Sequence, residues 1–312
     1  YHWMGVSSLF LNIFTLVVNI WQPKLKINYE HWKIIHKVGY LIIFLGFAHS
    51  LFLGSDIVSK GPLYYWWWTL TLMAVAAVIY RYLVRNALLK DNLYKVVEVV
   101  KESRDVRSII MKPLRKRVLS YFPGQFAFVR FYSQGVPSEE HHFTLSSVPR
   151  KNSLSFTVKE SGDFTKMLGN LKAGDKARIE GPFGVFSNAN MEGPFVFIAG
   201  GIGITPIMSM IRTHNIQHRT DDLLLVYAAK TQADLVFKKE LDELAKRTDW
   251  FRVVYRIGKH IDSDFLKSQI KDFKNSKFFV CGPGAMMELV EKLLLENGAK
   301  KDLIYTEKFS LK

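Results

Sequence analysis

The stretch Gly200-Gly201-Ile202-Gly203-Ile204-Thr205-Pro206 has the composition of a diphosphate cradle. Glycines let the backbone turn tightly and approach a diphosphate, while the N–H groups opening the next helix point at its charge. The run follows apolar Phe195-Val196-Phe197-Ile198 and precedes a helical pattern, and its spacing, GGxGxTP, is not the GxGxxG of a Rossmann site. Upstream lies His141-His142-Phe143-Thr144-Leu145-Ser146-Ser147. Strand alternation there sends Phe143 and Leu145 toward a core and offers the hydroxyls of Thr144 and Ser146 to a ligand on the other face. A third group is the pair His36 and His49, set in an apolar run. Ionisable groups at membrane depth are costly and mark function. Their separation along a helix is ~20 Å, which suits two haems stacked across a bilayer, although the ~140° between them requires tilt, a bulge or laterally offset haems.

The elements that must position these residues are of two kinds. Trp3 to Trp21 contains no acid or base, Val38 to Leu53 extends an apolar run that begins near Ile34, and Tyr64 to Leu83 is apolar up to Arg81. Each approaches the ~20 residues that cross a ~30 Å hydrocarbon core. Trp21 and Trp66-Trp67-Trp68 fall where an interfacial aromatic belt would lie. Lys24, Lys26, Lys33 and Lys37 in the first connector, and Arg81, Arg85 and Lys90 after the third run, place those ends inside. The chain then starts outside and delivers its later domains to the cytoplasm, where reduced nicotinamide is found.

Beyond these runs, strands are expected at Tyr94 to Lys101, Val106 to Lys112, Phe126 to Phe131, His142 to Ser146, Ser153 to Lys159 and Lys176 to Glu180. From Gly193 the pattern changes to apolar strands alternating with helices. The expected architecture is a multidomain membrane protein. A transmembrane α-helical bundle, three helices of it seen, occupies residues 1–88; an antiparallel six-stranded β-barrel occupies 89–192; an α/β parallel-sheet nucleotide domain occupies 193–312.

A formal charge of +15 comes without a nucleic-acid recognition motif, so anionic lipid is the expected partner of the basic residues. The single cysteine, Cys281, excludes an internal disulfide, a four-cysteine iron–sulfur cluster and a cysteine zinc site. The chain opens without methionine and already inside an apolar segment, so the rest of its own transmembrane domain is expected to lie N-terminal of Tyr1.

With Phe279-Val280-Cys281-Gly282-Pro283-Gly284 some 80 positions on, the glycine run resembles the nicotinamide half of the ferredoxin-reductase family. His141 to Ser147 resembles the HPFTxSS flavin motif of that family's membrane branch, the NADPH oxidases and ferric reductases, with His142 in place of proline. Ser161-Gly162-Asp163-Phe164-Thr165 resembles the turn that holds the flavin diphosphate, and Gly181-Pro182-Phe183-Gly184 the segment that closes the barrel. The resemblance implies FAD held by His141, Phe143, Thr144, Ser146, Ser147, Gly162, Phe164 and Thr165. It implies NADPH held by Gly200, Gly201, Gly203, Thr205, Pro206, Cys281, Gly282 and Pro283. Lys230, and Arg256 with Lys259, after the second and third strands of the nucleotide domain, are candidates for recognising a 2′-phosphate. Thr144, Ser146 and Cys281 are implied beside the reacting rings, and Phe309 is implied to stack on the flavin where nicotinamide docks. Two haems b are implied, an inner one on His36, with His31 as the alternative, and an outer one on His49. The implied function is that of a prokaryotic NADPH oxidase in the plasma membrane, passing electrons from cytoplasmic NADPH through FAD and haem to external dioxygen and forming superoxide. A ferric-chelate reductase of the same architecture and a nucleotide-sensing membrane protein without turnover are the alternatives.

Overall fold

The computed structural model describes residues 2–25, 29–53, 61–89, 92–115, 118–149 and 152–308. Two compact units divide the chain after Ala87. The first is helical: α1 (His2–Leu25), α2 (Tyr29–Leu53) and α3 (Pro62–Ile79), the last running on through a π-helical turn at Tyr80–Val84 and an α-turn at Arg85–Leu88. Pro62 opens α3 at a position whose N–H has no intrahelical acceptor, so its missing hydrogen costs nothing. Small residues let α1 and α2 approach. Ser8 Oγ donates to the Ile42 carbonyl at 3.1 Å, and a Cβ on Gly5 would meet the His49 ring at 2.7 Å. Trp3–Trp21, Ile35–Phe52 and Pro62–Val84 are long and apolar enough to cross a membrane by length and composition, and α3 buries none of its side chains. Helices apolar on every side suit lipid or a large core, not water.

The second unit holds two sheets. The first has β1 (Leu93–Lys101), β2 (Val106–Pro113), β3 (Phe126–Tyr132), β4 (Glu140–Thr144), β5 (Leu154–Lys159) and β6 (Lys176–Phe183), in the order β4-β3-β6-β1-β2-β5. All pairings are antiparallel, and a bridge between Leu145 and Phe156 brings the two outer strands together, curling the sheet into a barrel. Alternate residues such as Ile109, Met111, Val129, Phe131 and Phe156 fill its interior. A short helix, α4 (Asp163–Met167), follows β5.

The second sheet, of β7 (Phe195–Gly200), β8 (Leu223–Ala229), β9 (Phe251–Ile257), β10 (Lys277–Cys281) and β11 (Ile304–Glu307), is parallel throughout, in the order β11-β10-β7-β8-β9. Between its strands run α5 (Ile204–Ile216), α6 (Lys238–Arg247), α7 (Ser263–Gln269) and α8 (Gly284–Glu296). Separate apolar cores pack against its two faces, which is why β7 is buried at every position and reads as an unbroken apolar run. The chain builds outward from β7 to β8 and β9, then returns to its other side for β10. That reversal opens a crevice beyond the carboxyl end of β7, where α/β sheets bind ligands. The glycine run occupies that end.

Candidate active site

Two clefts adjoin there, sharing Lys159, Ile202 and Lys308 in their walls. The larger share of the first, about 420 Å³, belongs to the barrel. His141 stacks on Phe164 with ring centroids 3.7 Å apart, and its Nε2 lies 3.1 Å from Glu139 Oε2. Phe143 runs parallel to Phe164 at 6.4 Å, so the two motifs that carry these rings meet; His141 and Phe143 line the cleft, whereas Phe164, expected to touch FAD, is buried behind them in the barrel core and lies off the wall. A second cluster, Phe126, Phe128, His142 and Phe183, lies on neighbouring strands, and burial together with the neighbouring His141 holds the His142 ring below the ordinary histidine range. Thr144 lines the cleft. Gly162 caps α4 with open space where a Cβ would stand, while Thr165 Oγ1 accepts from the N–H groups of Ser161 and Gly162, both at 2.9 Å.

Ser146 departs from the expected alternation. β4 ends at Thr144, and the chain then turns back to β5, where Ser146 N donates to the Ser155 carbonyl at 2.9 Å. Its side chain is fully buried, with the hydroxyl 2.8 Å from Thr157 Oγ1 and 2.9 Å from Ser155 Oγ, so it faces the barrel wall and not the cleft. Ser147 Oγ is likewise engaged, by Tyr121 Oη at 2.8 Å and Ser155 N at 2.9 Å.

The second cleft, about 440 Å³, opens over the glycine run. Gly201 has φ +53° and nothing within 4 Å of a built Cβ, which turns its backbone toward open space. Gly203 serves close approach instead: a Cβ there would strike the Cys281 carbonyl oxygen at 2.2 Å. Gly200 and Gly282 face the movable thioether end of Met286 instead, at 2.5 and 2.7 Å from a built Cβ. Lys159, Lys230 and Lys308 line this cleft together with Asp234 and Pro283, the Lys159 ammonium lying 3.2 Å from Asp105 and that of Lys308 3.8 Å from Glu288. Thr205 and Pro206 are buried at the start of α5, Thr205 Oγ1 donating to the Ile202 carbonyl at 3.0 Å. Glycines open to an anion, a helix N-terminus and lysines fit a dinucleotide diphosphate.

Besides Ser146 and Ser147, the expected contacts Gly162, Phe164, Pro206, Cys281 and Arg256 lie off these walls. Cys281 is fully buried, its thiol donating to the Glu307 carbonyl at 3.4 Å and pushed well above its ordinary pKa by burial and by Glu307, so it supports the floor as a neutral thiol. Arg256 is committed elsewhere: Nη2 donates to Asp262 at 2.5 Å, Nε to the His260 carbonyl at 3.0 Å, and the guanidinium covers Phe265. Of the three candidates for a 2′-phosphate, Lys230, Arg256 and Lys259, Lys230 alone borders the cleft. Phe309 and the side chain of His31 lie outside the described residues.

Sequence reasoning passed over Lys159 and Glu307. Glu307 ends β11 at the same sheet edge as the glycine run, lines the first cleft, and has Oε2 buried without a partner among the described residues. Burial pushes its carboxyl up to about 7. The available signal was its position, at the end of a strand beside the CGP turn.

In the helical unit, His36 and His49 share the continuous helix α2. His36 is exposed and stacked on Trp32 at 5.0 Å; His49 is half-buried in the room that Gly5 leaves. Gly5 thus lets the His49 ring pack against α1.

Residues 92–199 match the family model described as FAD-binding domain, and residues 197–292 the model described as oxidoreductase NAD-binding domain. The chain is 28% identical over 234 residues to the glycine betaine monooxygenase reductase subunit of Pseudomonas aeruginosa, covering 70% of this chain and 64% of that protein. It is 29% identical over 231 residues to the ferredoxin reductase component of 3-ketosteroid-9-alpha-monooxygenase from Mycolicibacterium smegmatis, covering 69% and 64%. It thus spans about 64% of the length of these relatives. Among solved structures, the FAD/NAD-binding domain of nitric oxide dioxygenase from Vibrio cholerae is similar with a TM-score of 0.63 and 26% identity, covering 70% of this chain and 98% of that one.

Proposed function

We propose that this chain, whose FAD-binding and NAD-binding domains make it a ferredoxin-reductase-like oxidoreductase, is a membrane NADPH oxidase that carries electrons from a cytoplasmic nicotinamide through FAD and two haems b to external dioxygen. The observation that carries this reading is the order within one chain: three helices apolar enough to cross a membrane, two histidines on the second of them, then the reductase unit. When bound, reduced nicotinamide supplies hydride, and FAD accepts it and releases its electrons singly. The protein's part is position and electrostatics. The N–H groups at Gly201 to Thr205 receive a diphosphate, and Lys159, Lys230 and Lys308 balance its charge. Glu307, its carboxyl pushed up to about 7 by burial, is protonated below that pH and then offers a hydrogen-bond donor in the wall of the flavin cleft. His141, backed by the buried Phe164, and Phe143 form the aromatic surface, and Phe309, two residues after Glu307, is proposed to cover the flavin ring. His36 and His49 would each supply an imidazole to one haem, and anionic lipid would hold the basic flanks.

The test is the complete protein in detergent, given NADPH under air. Superoxide dismutase-sensitive reduction of cytochrome c is expected, and His49→Ala should remove the outer haem absorption while leaving NADPH-driven dye reduction intact. Reduction of ferric chelate without superoxide would instead assign a ferric reductase. The relatives named above are reductase components of monooxygenases; electron delivery to a separate acceptor protein, with no haem signal at all, is the outcome that would favour their kind of role.

A further inference from the structure

α5 begins at the glycine run, so it carries the diphosphate cradle, yet two of its side chains reach out of the nucleotide domain. Ser209 Oγ donates to the Ser147 carbonyl at 2.7 Å. One turn on, Arg212 Nη1 donates to the Ser146 carbonyl, also at 2.7 Å. The remaining edge of that guanidinium is fixed by Glu240 of α6, through Nε to Oε1 at 2.7 Å and Nη2 to Oε2 at 2.6 Å, and its face lies over the Phe237 ring at 4.6 Å. A two-pronged carboxylate pair holds a guanidinium in one plane, which a lysine cannot reproduce.

The grasped segment is itself part of the flavin cleft's frame. Ser146 and Ser147 follow Thr144, which lines the cleft, and the Ser146 hydroxyl meets Thr157, which also lines it. The helix that opens at the glycine run is thus tied by short hydrogen bonds to the 146–147 carbonyls, and that segment reaches the flavin cleft through the chain to Thr144 and through the Ser146 hydroxyl to Thr157. We propose that Arg212, held by Glu240 and assisted by Ser209, is a positioning residue that sets the approach of nicotinamide to flavin by tying the diphosphate helix to the 146–147 segment. The inference rests on the reading of the two clefts as FAD and NAD(P)H sites. Hydride transfer is sensitive to such a tie, because misplacement by about 1 Å can cost about 100-fold in rate.

The experiment is anaerobic stopped-flow on the full chain reconstituted with FAD, with NADPH and NADH as probes. Arg212→Ala is expected to slow the limiting rate of flavin bleaching by about 10- to 100-fold, to abolish the long-wavelength nicotinamide–flavin charge-transfer absorbance, and to leave FAD content unchanged. Arg212→Lys, which keeps the charge and loses the fork, should behave like the alanine variant. Hydrogen exchange on the FAD-free protein should show faster exchange of the Ser146 amide in Arg212→Ala. If Arg212→Ala only lowers the melting temperature while bleaching rate and charge-transfer band match the parent, the tie is structural and the proposal is overturned. Should that variant fail to fold, Glu240→Gln and Ser209→Ala carry the same two outcomes. A parent protein that shows no bleaching with either coenzyme overturns the cleft assignment, and the positioning role with it.

Discussion

His214 and Glu307 are both buried ionisable groups, and burial moves them in opposite directions. His214 is 1% exposed, lies 4.4 Å from the Trp250 ring, and has no partner for either ring nitrogen among the described residues. Burial, with Arg219 nearby, lowers its pKa to about 4 from 6.5. The unfolded chain therefore takes up the proton first: the stability contribution is intact above about pH 6.5 and is lost as pH falls toward 4, at most roughly 3 kcal/mol. Urea melts of His214→Phe at pH 7 and pH 5 should show a smaller loss than the parent; equal losses would remove His214 from the acid response. Glu307 has the reverse sign. Its carboxyl titrates at about 7 when folded against 4.5 ordinarily, so its contribution to stability is full below 4.5 and declines as pH rises through about 7. In turnover, NADPH-driven flavin reduction is expected to inflect near pH 7, and Glu307→Gln, which donates a hydrogen bond but does not titrate, should flatten that profile.

At the scale of elements, two glycines separate a packing constraint from a ligand constraint. Gly203 joins the β7 turn to the end of β10, and an alanine there would drive Cβ into the Cys281 carbonyl. Gly203→Ala should destabilise the nucleotide domain by about 1–3 kcal/mol and remove coenzyme binding with it, as thermal melts and titration would show. Gly162 has an extended backbone and open space around it. Gly162→Ala should leave the melting temperature of the FAD-free protein unchanged while weakening FAD retention, as read by flavin absorbance after dialysis; unaltered retention would move the flavin diphosphate away from α4. Strand ends decide coenzyme choice in the same way. Lys230, at the end of β8, borders the cleft, whereas Arg256, in β9, is held by Asp262. Lys230→Ala is therefore expected to lower the kcat/KM ratio of NADPH to NADH, and Arg256→Ala to change it far less.

At the scale of the whole molecule, the division after Ala87 separates helices without a water-compatible face from a unit that contains all three large apolar cores. Residues 88–312 are expected to fold alone, retain FAD and bleach on addition of reduced nicotinamide, with no haem absorption. Aggregation of that piece, or its failure to take up flavin, would show that the helical unit is required for the reductase fold.

Local pattern determined much of this by itself. The apolar runs, the period of two between Leu93 and Phe183, and the strand–glycine–helix order at Gly200 to Pro206 are properties of neighbouring residues, and neighbouring residues are what backbone geometry reads. The alternation of apolar strands with helices from Gly193 likewise pointed to a parallel α/β sheet, while the strand order β11-β10-β7-β8-β9 came only with the tertiary structure. What required the tertiary structure were relations between distant positions. Ser146 has the right alternation for the cleft, yet the return of the chain to β5 turns its hydroxyl inward. Arg256 has the right charge, and a partner six residues away engages it. Arg212 carries no motif, because its role depends on Glu240 in one domain and the Ser146 carbonyl in another. Glu307 reads as one more acid near the end of the chain until burial beside the flavin cleft lifts its pKa. Hydrogen-bond direction and desolvation depend on what packs around a group, and that is decided only when the strands close.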